Sequence, residues 1–201
     1  MDVTRAVISY SEAEIAVLDA TVACVERLGF QKVTMDHICA EANVSRATVY
    51  RMFPGGRDVL FEAVRVRSLA DFFTVLRAHV EGATSLDEVL VRCVTVAYAE
   101  LMADQQLATM LATEPGETLG DLTVSGVSRI VRVAAEFMSP LLHSFVPQQQ
   151  AEEIVEIMCR LVISAFLSPS PLLDFSDEAV VRRLVRTYLN TPVEFHSVTT
   201  Q

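Results

Sequence analysis

The sequence predicts an all-α protein of about nine helices. Three observations carry that expectation. Only seven Gly and seven Pro interrupt 201 residues, too few for the turns of a β architecture or for a disordered chain. Apolar residues recur three and four positions apart over long stretches, the period of one helix face. Serine and threonine stand where several of these stretches begin, as helix N-caps do. Hydrophobic residues make up 51 % of the chain, ample for a sizeable core.

The first helix has clear ends. Ser11 with Glu14 three residues later reads as a capping box, and Ile15, Leu18, Val22, Val25 and Leu28 follow at helical spacing. Gly29 suits a left-handed end, with Phe30 folding back on the last turn. Thr34 caps a short second helix reaching about Ala42, and Asp36 favours its positive end. Asn43 and Val44 form a turn. Ser45 caps a third helix with Val49 and Phe53 facing inward, and Pro54-Gly55-Gly56 ends it. A long helix is expected from about Arg57 to Val80, closed by Gly82, with an apolar stripe that includes Phe61, Val64, Phe72, Phe73 and Leu76. Further helices are expected over Leu86 to Met102, Leu107 to Ala112, Val127 to Phe145 (bent or divided by Pro140), Gln148 to Leu167, and Ser176 to Leu189. Pro115, Gly116 and Gly120 read as breaks, Ser168 to Pro171 as a hinge-like connection, and the tail after Thr191 as loose. These signals divide the chain into residues 1–56 and 57–201.

Composition removes several classes of function. The first residues carry acids where a secretory signal would be apolar, and no run of 18 uncharged apolar residues exists to span a membrane. Cys24, Cys39, Cys93 and Cys159 are scattered without a CxxC pair. Reduced, buried thiols in a cytoplasm account for them. No His, Cys and carboxylate spacing fits a metal, no glycine-rich phosphate loop exists, and Ser125 and Ser139 have no evident base. No cofactor and no catalytic residue are expected.

Charge is informative because it is uneven. The formal net charge is −10. Residues 1–60 contribute −2 and residues 61–201 contribute −8, so the C-terminal part repels nucleic acid. Yet from Ala42 to Arg57 there are three arginines and no acid. Lysine occurs once, at Lys32; arginine, which forks phosphates and guanine edges, supplies the other formal cations.

Residues 34–53 therefore read as a helix-turn-helix: a short positioning helix, a tight turn, and a second helix exposing its N-terminal half. On that helix Arg46 and Tyr50 are four apart, as are Ala47 and Arg51, and both pairs lie away from Val49 and Phe53. Arg46 is the candidate for a guanine edge. Thr48 and Tyr50 are candidates for phosphate or a thymine methyl, and Tyr50 is equally suited to packing. The amides above Thr34 and Ser45 suit phosphate oxygens. The bland alternative is a helical hairpin packed inside a larger bundle. His37 is a surface residue or a phosphate contact.

Phe30-x-x-Val33-Thr34, Ile38-Cys39 and Ala42-Asn43-Val44-Ser45-x-Ala47-Thr48-Val49-Tyr50-x-x-Phe53 resemble the DNA-binding domain of TetR-family bacterial regulators, over roughly residues 12–62. The resemblance implies three helices bearing the DNA-binding unit and about six more forming a ligand pocket and a dimer interface. It places Thr34, Arg46, Ala47, Thr48, Tyr50 and Arg51 on DNA-contact positions. The family's phosphate-binding lysine before the fourth helix is absent: that position is Gly56, followed by Arg57. Either Arg57 or the Gly55-Gly56 backbone is the expected substitute.

Beyond residue 57, Phe72, Phe73, Leu76, Tyr98, Met102, Met110, Phe137, Met138 and Phe166 are the candidates for an apolar pocket, each also explained as plain core. His79 and His143, in apolar surroundings, read as core histidines or as ligand contacts. Ile154, Ile157, Leu161, Val162 and Phe166, with Val180, Leu184, Val185 and Tyr188, form a candidate homodimer face on the last two helices. Arg182, Arg183 and Arg186 are available to pair with Glu152, Glu153 and Glu156. The reading is a cytoplasmic, homodimeric regulator that acts on an inverted-repeat operator in double-stranded DNA and is released by a small apolar effector, most simply as a repressor. An activator, a ligand-independent DNA-binding protein, a partner-recruiting scaffold and a small helical enzyme are the alternatives.

Overall fold

A computed structural model of the chain describes residues 10–104, 107–108, 111–112, 115–123 and 126–189. The expected Leu107–Ala112 helix lies partly outside these residues; Met110, Ser125 and the tail after Thr191 lie wholly outside them. Among the described residues the fold is all-helical, with an isolated β-bridge between Ser170 and Leu173 as the exception.

The elements are α1 (Glu12–Leu28), a 3₁₀ turn (Phe30–Lys32), α2 (Met35–Glu41), α3 (Arg46–Met52), α4 (Arg57–Val80), α5 (Leu86–Ala103), α6 (Pro115–Leu122), α7 (Val127–Leu142), α8 (Gln148–Leu167) and α9 (Glu178–Leu184), the last continued by a π-helical turn (Val185–Leu189). The caps explain the starts. Ser11 Oγ accepts from the Glu14 amide at 3.3 Å, while Glu14 Oε2 accepts from the Ser11 amide at 2.8 Å. Ser85 caps α5 by accepting from the Glu88 amide at 3.2 Å. Each arrangement satisfies amides that a helix start otherwise leaves unpaired.

Two buried clusters organise the chain. The first gathers Val17, Leu18 and Cys24 of α1, Val33, Met35, Ile38 and Cys39 around α2, Val49 and Phe53 of α3, and Leu60, Phe61 and Ala63 of α4. The second runs from Val66 through α5, α7 and α8 to Val185. Helix α4 belongs to both: its first two turns close the first cluster, and Phe73, Leu76 and Val80 enter the second. It packs on α1 at one end and on α5 and α7 beyond.

Three local expectations are corrected. Pro115 begins α6 instead of breaking the chain, with Gly116 and Gly120 inside the helix; proline at a first helical position lacks only an amide that has no partner there. Pro140 does not divide α7: it stands in the last turn, with only Leu141 and Leu142 after it. The cap of α9 is Asp177, not Ser176: Asp177 Oδ1 accepts from the Ala179 amide at 2.8 Å, while Ser176 bonds Asp174.

Candidate nucleic-acid interface and effector cavity

The interface candidate is built by capping and one buried anchor. Thr34 N-caps α2 through a reciprocal pair in which its Oγ1 accepts from the His37 amide and His37 Nδ1 accepts from the Thr34 amide, both at 3.3 Å. His37 is thus a surface capping partner. Asn43 turns the chain at φ 52°, a left-handed geometry that asparagine tolerates. Ser45 Oγ accepts from the Thr48 amide at 3.1 Å and lies 2.9 Å from Thr48 Oγ1. Val49 is fully buried and Phe53 nearly so. Burying two such side chains stabilises the seat of α3 by roughly 1.5–3 kcal/mol each.

With that face anchored, Ser45, Arg46, Ala47, Tyr50 and Arg51 are exposed and Thr48 is half-buried. The expected polar ridge is therefore assembled on one short helix. Arg46 is not a loose side chain. Its Nε donates to Asp36 Oδ1 and its Nη2 to Asp36 Oδ2, each at 2.6 Å, joining α3 to the first turn of α2. Those bonds hold the Asp36 carboxyl below the usual carboxylate range. Arg51 has no ion-pair partner among the described residues. Tyr50 combines exposure with packing: a Cβ added at Gly56 would stand 2.9 Å from Tyr50 Cε1, and Gly56 has φ 72°. Glycine is required there on both counts.

Arg57 differs from the expectation of a free phosphate contact. Its Nε donates to the Val33 carbonyl at 3.1 Å and its Nη2 to the Phe30 carbonyl at 2.8 Å. Its guanidinium lies 4.4 Å from the centroid of Phe61 and 5.1 Å from that of Phe30. Arg65 covers Phe30 at 4.7 Å, and the two rings meet edge-on at 4.5 Å. Arg57 clamps the entry of α2 to the start of α4; its short reach to those carbonyls draws it inward.

Phe30 and Phe61 also form one end of a cavity of about 370 Å³, within the size range of small-molecule sites. From there the cavity follows α4 past Arg65, Ser68, Leu69 and Phe72 to Leu76, and is walled by α5, α7 and α8. Four of the expected lining residues are in place: Phe72, Phe73, Leu76 and Met138. Four are elsewhere. Tyr98 turns to Phe175, with centroids 5.9 Å apart. Phe137 stacks beside Phe73 at 6.5 Å, behind the wall. Met102 is 53 % exposed, and Phe166 packs half-buried on the second cluster. The residues that sequence reasoning missed include Val22 and Val25 of α1, the sulfur side chains Cys93, Met158 and Cys159, and the polar Arg65, Ser68, Asp104 and Arg129. Arg129 donates to Glu62 at 2.6 Å, tying α7 to α4 beside the cavity. His79 and His143 are exposed, not core; both stand near helix ends, where solvent reaches them.

Residues 17–64 match the model of the bacterial regulatory proteins of the tetR family. Within this unit the chain resembles the tetR family. Solved structures extend the likeness of fold to most of its length. The TetR family repressor AlkX of Dietzia sp. strain DQ12-45-1b is 21 % identical, with 89 % of this chain and 95 % of that one covered and a TM-score of 0.66. The R. erythropolis repressor QsdR is 15 % identical over 87 % and 93 %, with a TM-score of 0.59. The fatty acid degradation regulator FadR of Bacillus halodurans is 17 % identical over 92 % and 100 %, with a TM-score of 0.55. No protein of curated function matches the sequence.

The last two helices present a mixed face. Ile154, Val162, Leu184 and Val185 are buried within this one chain, whereas Ile157 and Tyr188 are exposed and Leu161, Phe166 and Val180 are partly so. The expected ion pairs across them are replaced. Arg160 bonds Glu156 and Arg182 bonds Glu178, because i,i+4 partners on one helix are near neighbours, while Arg186 reaches Asp87 of α5.

Proposed function

We propose that this chain is a homodimeric, ligand-responsive repressor that grips an inverted-repeat operator and releases it when an apolar small molecule fills the cavity. The observation that carries the reading is the shared helix: α4 closes the core that seats α3 and also forms one wall of the cavity. A ligand favouring a displaced α4 favours a mis-seated reading helix. Typical coupling of about 1–3 kcal/mol corresponds to a 5–150-fold change in operator affinity.

Thr34, Ser45, Arg46, Ala47, Thr48, Tyr50 and Arg51 are the proposed DNA contacts. Arg57 acts beneath them, holding α2 to α4, so the phosphate role falls to other donors. The unit that reads DNA reaches past residue 56 to Ala63, whose side chain joins the first core. Ile157 at 44 %, Leu172 at 80 % and Tyr188 at 76 % exposure favour self-association through α8 and α9. A two-fold dimer sets its reading helices about 34–36 Å apart, the spacing of successive major grooves. The predominantly apolar wall favours an effector with a hydrocarbon body. AlkX, implicated in the biodegradation of n-alkanes, and FadR, a fatty acid degradation regulator, share this fold and point the same way. Among the described residues no helix is long and apolar enough to cross a membrane, in keeping with action on chromosomal DNA in a cytoplasm.

The test is titration of fluorescent duplex from the region upstream of the gene with the full chain, across a range of salt concentrations. Arg46→Ala is expected to cost about 1–3 kcal/mol and to relax preference at one base pair per half-site. Equal binding of upstream and scrambled duplexes by the wild type would sink the reading.

A further inference from the structure

We propose that Asp36 is a positioning residue for sequence readout, holding the Arg46 guanidinium so that its outer edge is presented to a guanine in the major groove. The proposal rests on the DNA-reading role given to α3 above. Three observations carry it. Asp36 lies on the positioning helix and Arg46 on the reading helix, so their contact spans the helix-turn-helix. The contact is two-pronged: both carboxylate oxygens are used, each at 2.6 Å, on Nε and Nη2. The Arg46 side chain nonetheless remains 57 % exposed.

The geometry of arginine makes this arrangement productive. A guanidinium has five N–H donors in a fixed plane. Asp36 occupies the Nε side, taking the Nε hydrogen and one from Nη2. The tip of the plane stays open, with parallel hydrogens on Nη1 and Nη2, the spacing that guanine O6 and N7 accept. A carboxylate that merely blocked readout would have to cover that tip. A long, flexible side chain ordered before docking also loses less freedom on binding. Asp36 is not needed as a cap: Thr34 and His37 cap the start of α2, and both hydrogen bonds of the Asp36 carboxylate go to Arg46.

The acid has a second consequence, opposite in sign. Within the cationic ridge it offsets one positive charge facing the phosphates. Removing it strengthens sequence-independent attraction while freeing Arg46 to wander. Positioning therefore predicts a loss of preference with no loss of sequence-independent binding, whereas a blocking role predicts that affinity rises for every duplex together.

The experiment is selection of bound duplexes from a randomised pool by the full-length wild type, Asp36→Ala, Asp36→Asn and Arg46→Ala, followed by titration of the selected duplex, its single-base variants and a scrambled duplex. Preference at the base pair lost in Arg46→Ala is expected to fall about tenfold in Asp36→Ala. Binding of the scrambled duplex is expected to be unchanged or several-fold tighter. Asp36→Asn, which keeps one acceptor oxygen, falls between. In an Arg46→Ala background, Asp36→Ala is expected to produce no further loss of preference, and melting temperatures are expected to stay close to wild type. Full discrimination by Asp36→Ala, loss spread over base pairs that Arg46 does not govern, or a uniform gain on all duplexes would overturn the proposal while leaving DNA reading intact. A wild type that enriches no sequence would remove both.

Discussion

The N-terminal unit is small and solid; the C-terminal bundle is larger and hollow. The first core packs Leu18, Ile38, Val49 and Leu60 with no exposed surface at all. The second holds more buried side chains yet leaves about 370 Å³ unfilled, bounded by α4, α5, α7 and α8 and closed at one end by Val22 and Val25 of α1 with Phe30 and Phe61. The contrast matches two kinds of work. A reading helix must be held in one orientation, which dense packing provides. The proposed sensing role needs room for a ligand, and the cavity lined by Met138, Met158 and Leu76 offers it. The two meet at Phe30 and Phe61, which wall one end of the cavity and are gripped by Arg57 from the other side.

The largest expected effect breaks the solid unit alone. Phe53→Ala should cost about 3–5 kcal/mol and abolish DNA binding. Hydrogen exchange by mass spectrometry should then show α1 to α3 losing protection while α7 and α8 keep theirs. Uniform loss along the chain would mean that the two cores unfold as one.

Next is Arg57→Ala, which removes two hydrogen bonds and the ring contacts with Phe30 and Phe61. A loss of about 1–3 kcal/mol in thermal or urea unfolding is expected. Operator affinity should fall without a change in its salt slope. A slope reduced by about one would instead make Arg57 a direct phosphate contact.

A matched pair of insertions sharpens the comparison. Ala20 is buried in the N-terminal unit and Ala134 lines the cavity. Ala20→Leu should destabilise by about 1–3 kcal/mol through overpacking. Ala134→Leu should be neutral or stabilise by about 0.5–2 kcal/mol, because space is waiting for it. Equal penalties would deny the difference in packing.

A last effect is confined to alkaline pH. Burial pushes the Cys93 and Cys159 thiols up to about 12 from 9.0. A group whose pKa is raised by folding contributes fully below its unfolded value. Stability should therefore hold up to about pH 9 and decline towards pH 12 as the unfolded thiols ionise. The Cys93→Ala/Cys159→Ala variant should show a shallower decline in urea midpoints over that window.

Much of the N-terminal unit was legible because its signals are local. Ser11 with Glu14, Thr34, Ser45 and Pro54-Gly55-Gly56 act within four residues of themselves, and the α4 bounds Arg57–Val80 follow from the turn before and the glycine after. What escaped depends on how helices cross. Ala97 lines the cavity while its neighbour Tyr98 turns to Phe175, and Met138 lines it while Phe137 stands behind; one residue of helix is a rotation of about 100°, and helical periodicity does not fix the packing angle that decides between them. Asp36 read as a helix-dipole acid because its partner Arg46 is ten residues away, on another helix. Arg57 read as a phosphate donor because its true acceptors, the carbonyls of Phe30 and Val33, carry no signature in a sequence of side chains.

The central claim is that filling the hollow bundle unseats the solid reader. It is tested most directly by measuring operator affinity by anisotropy while titrating medium- and long-chain alcohols and acids, for wild type and Ala134→Leu side by side. At least one compound that raises the melting temperature of the free wild type should weaken its operator binding 5–150-fold, and Ala134→Leu should lose both responses together. A compound that stabilises the protein by occupying the cavity yet leaves operator affinity unchanged would contradict the account.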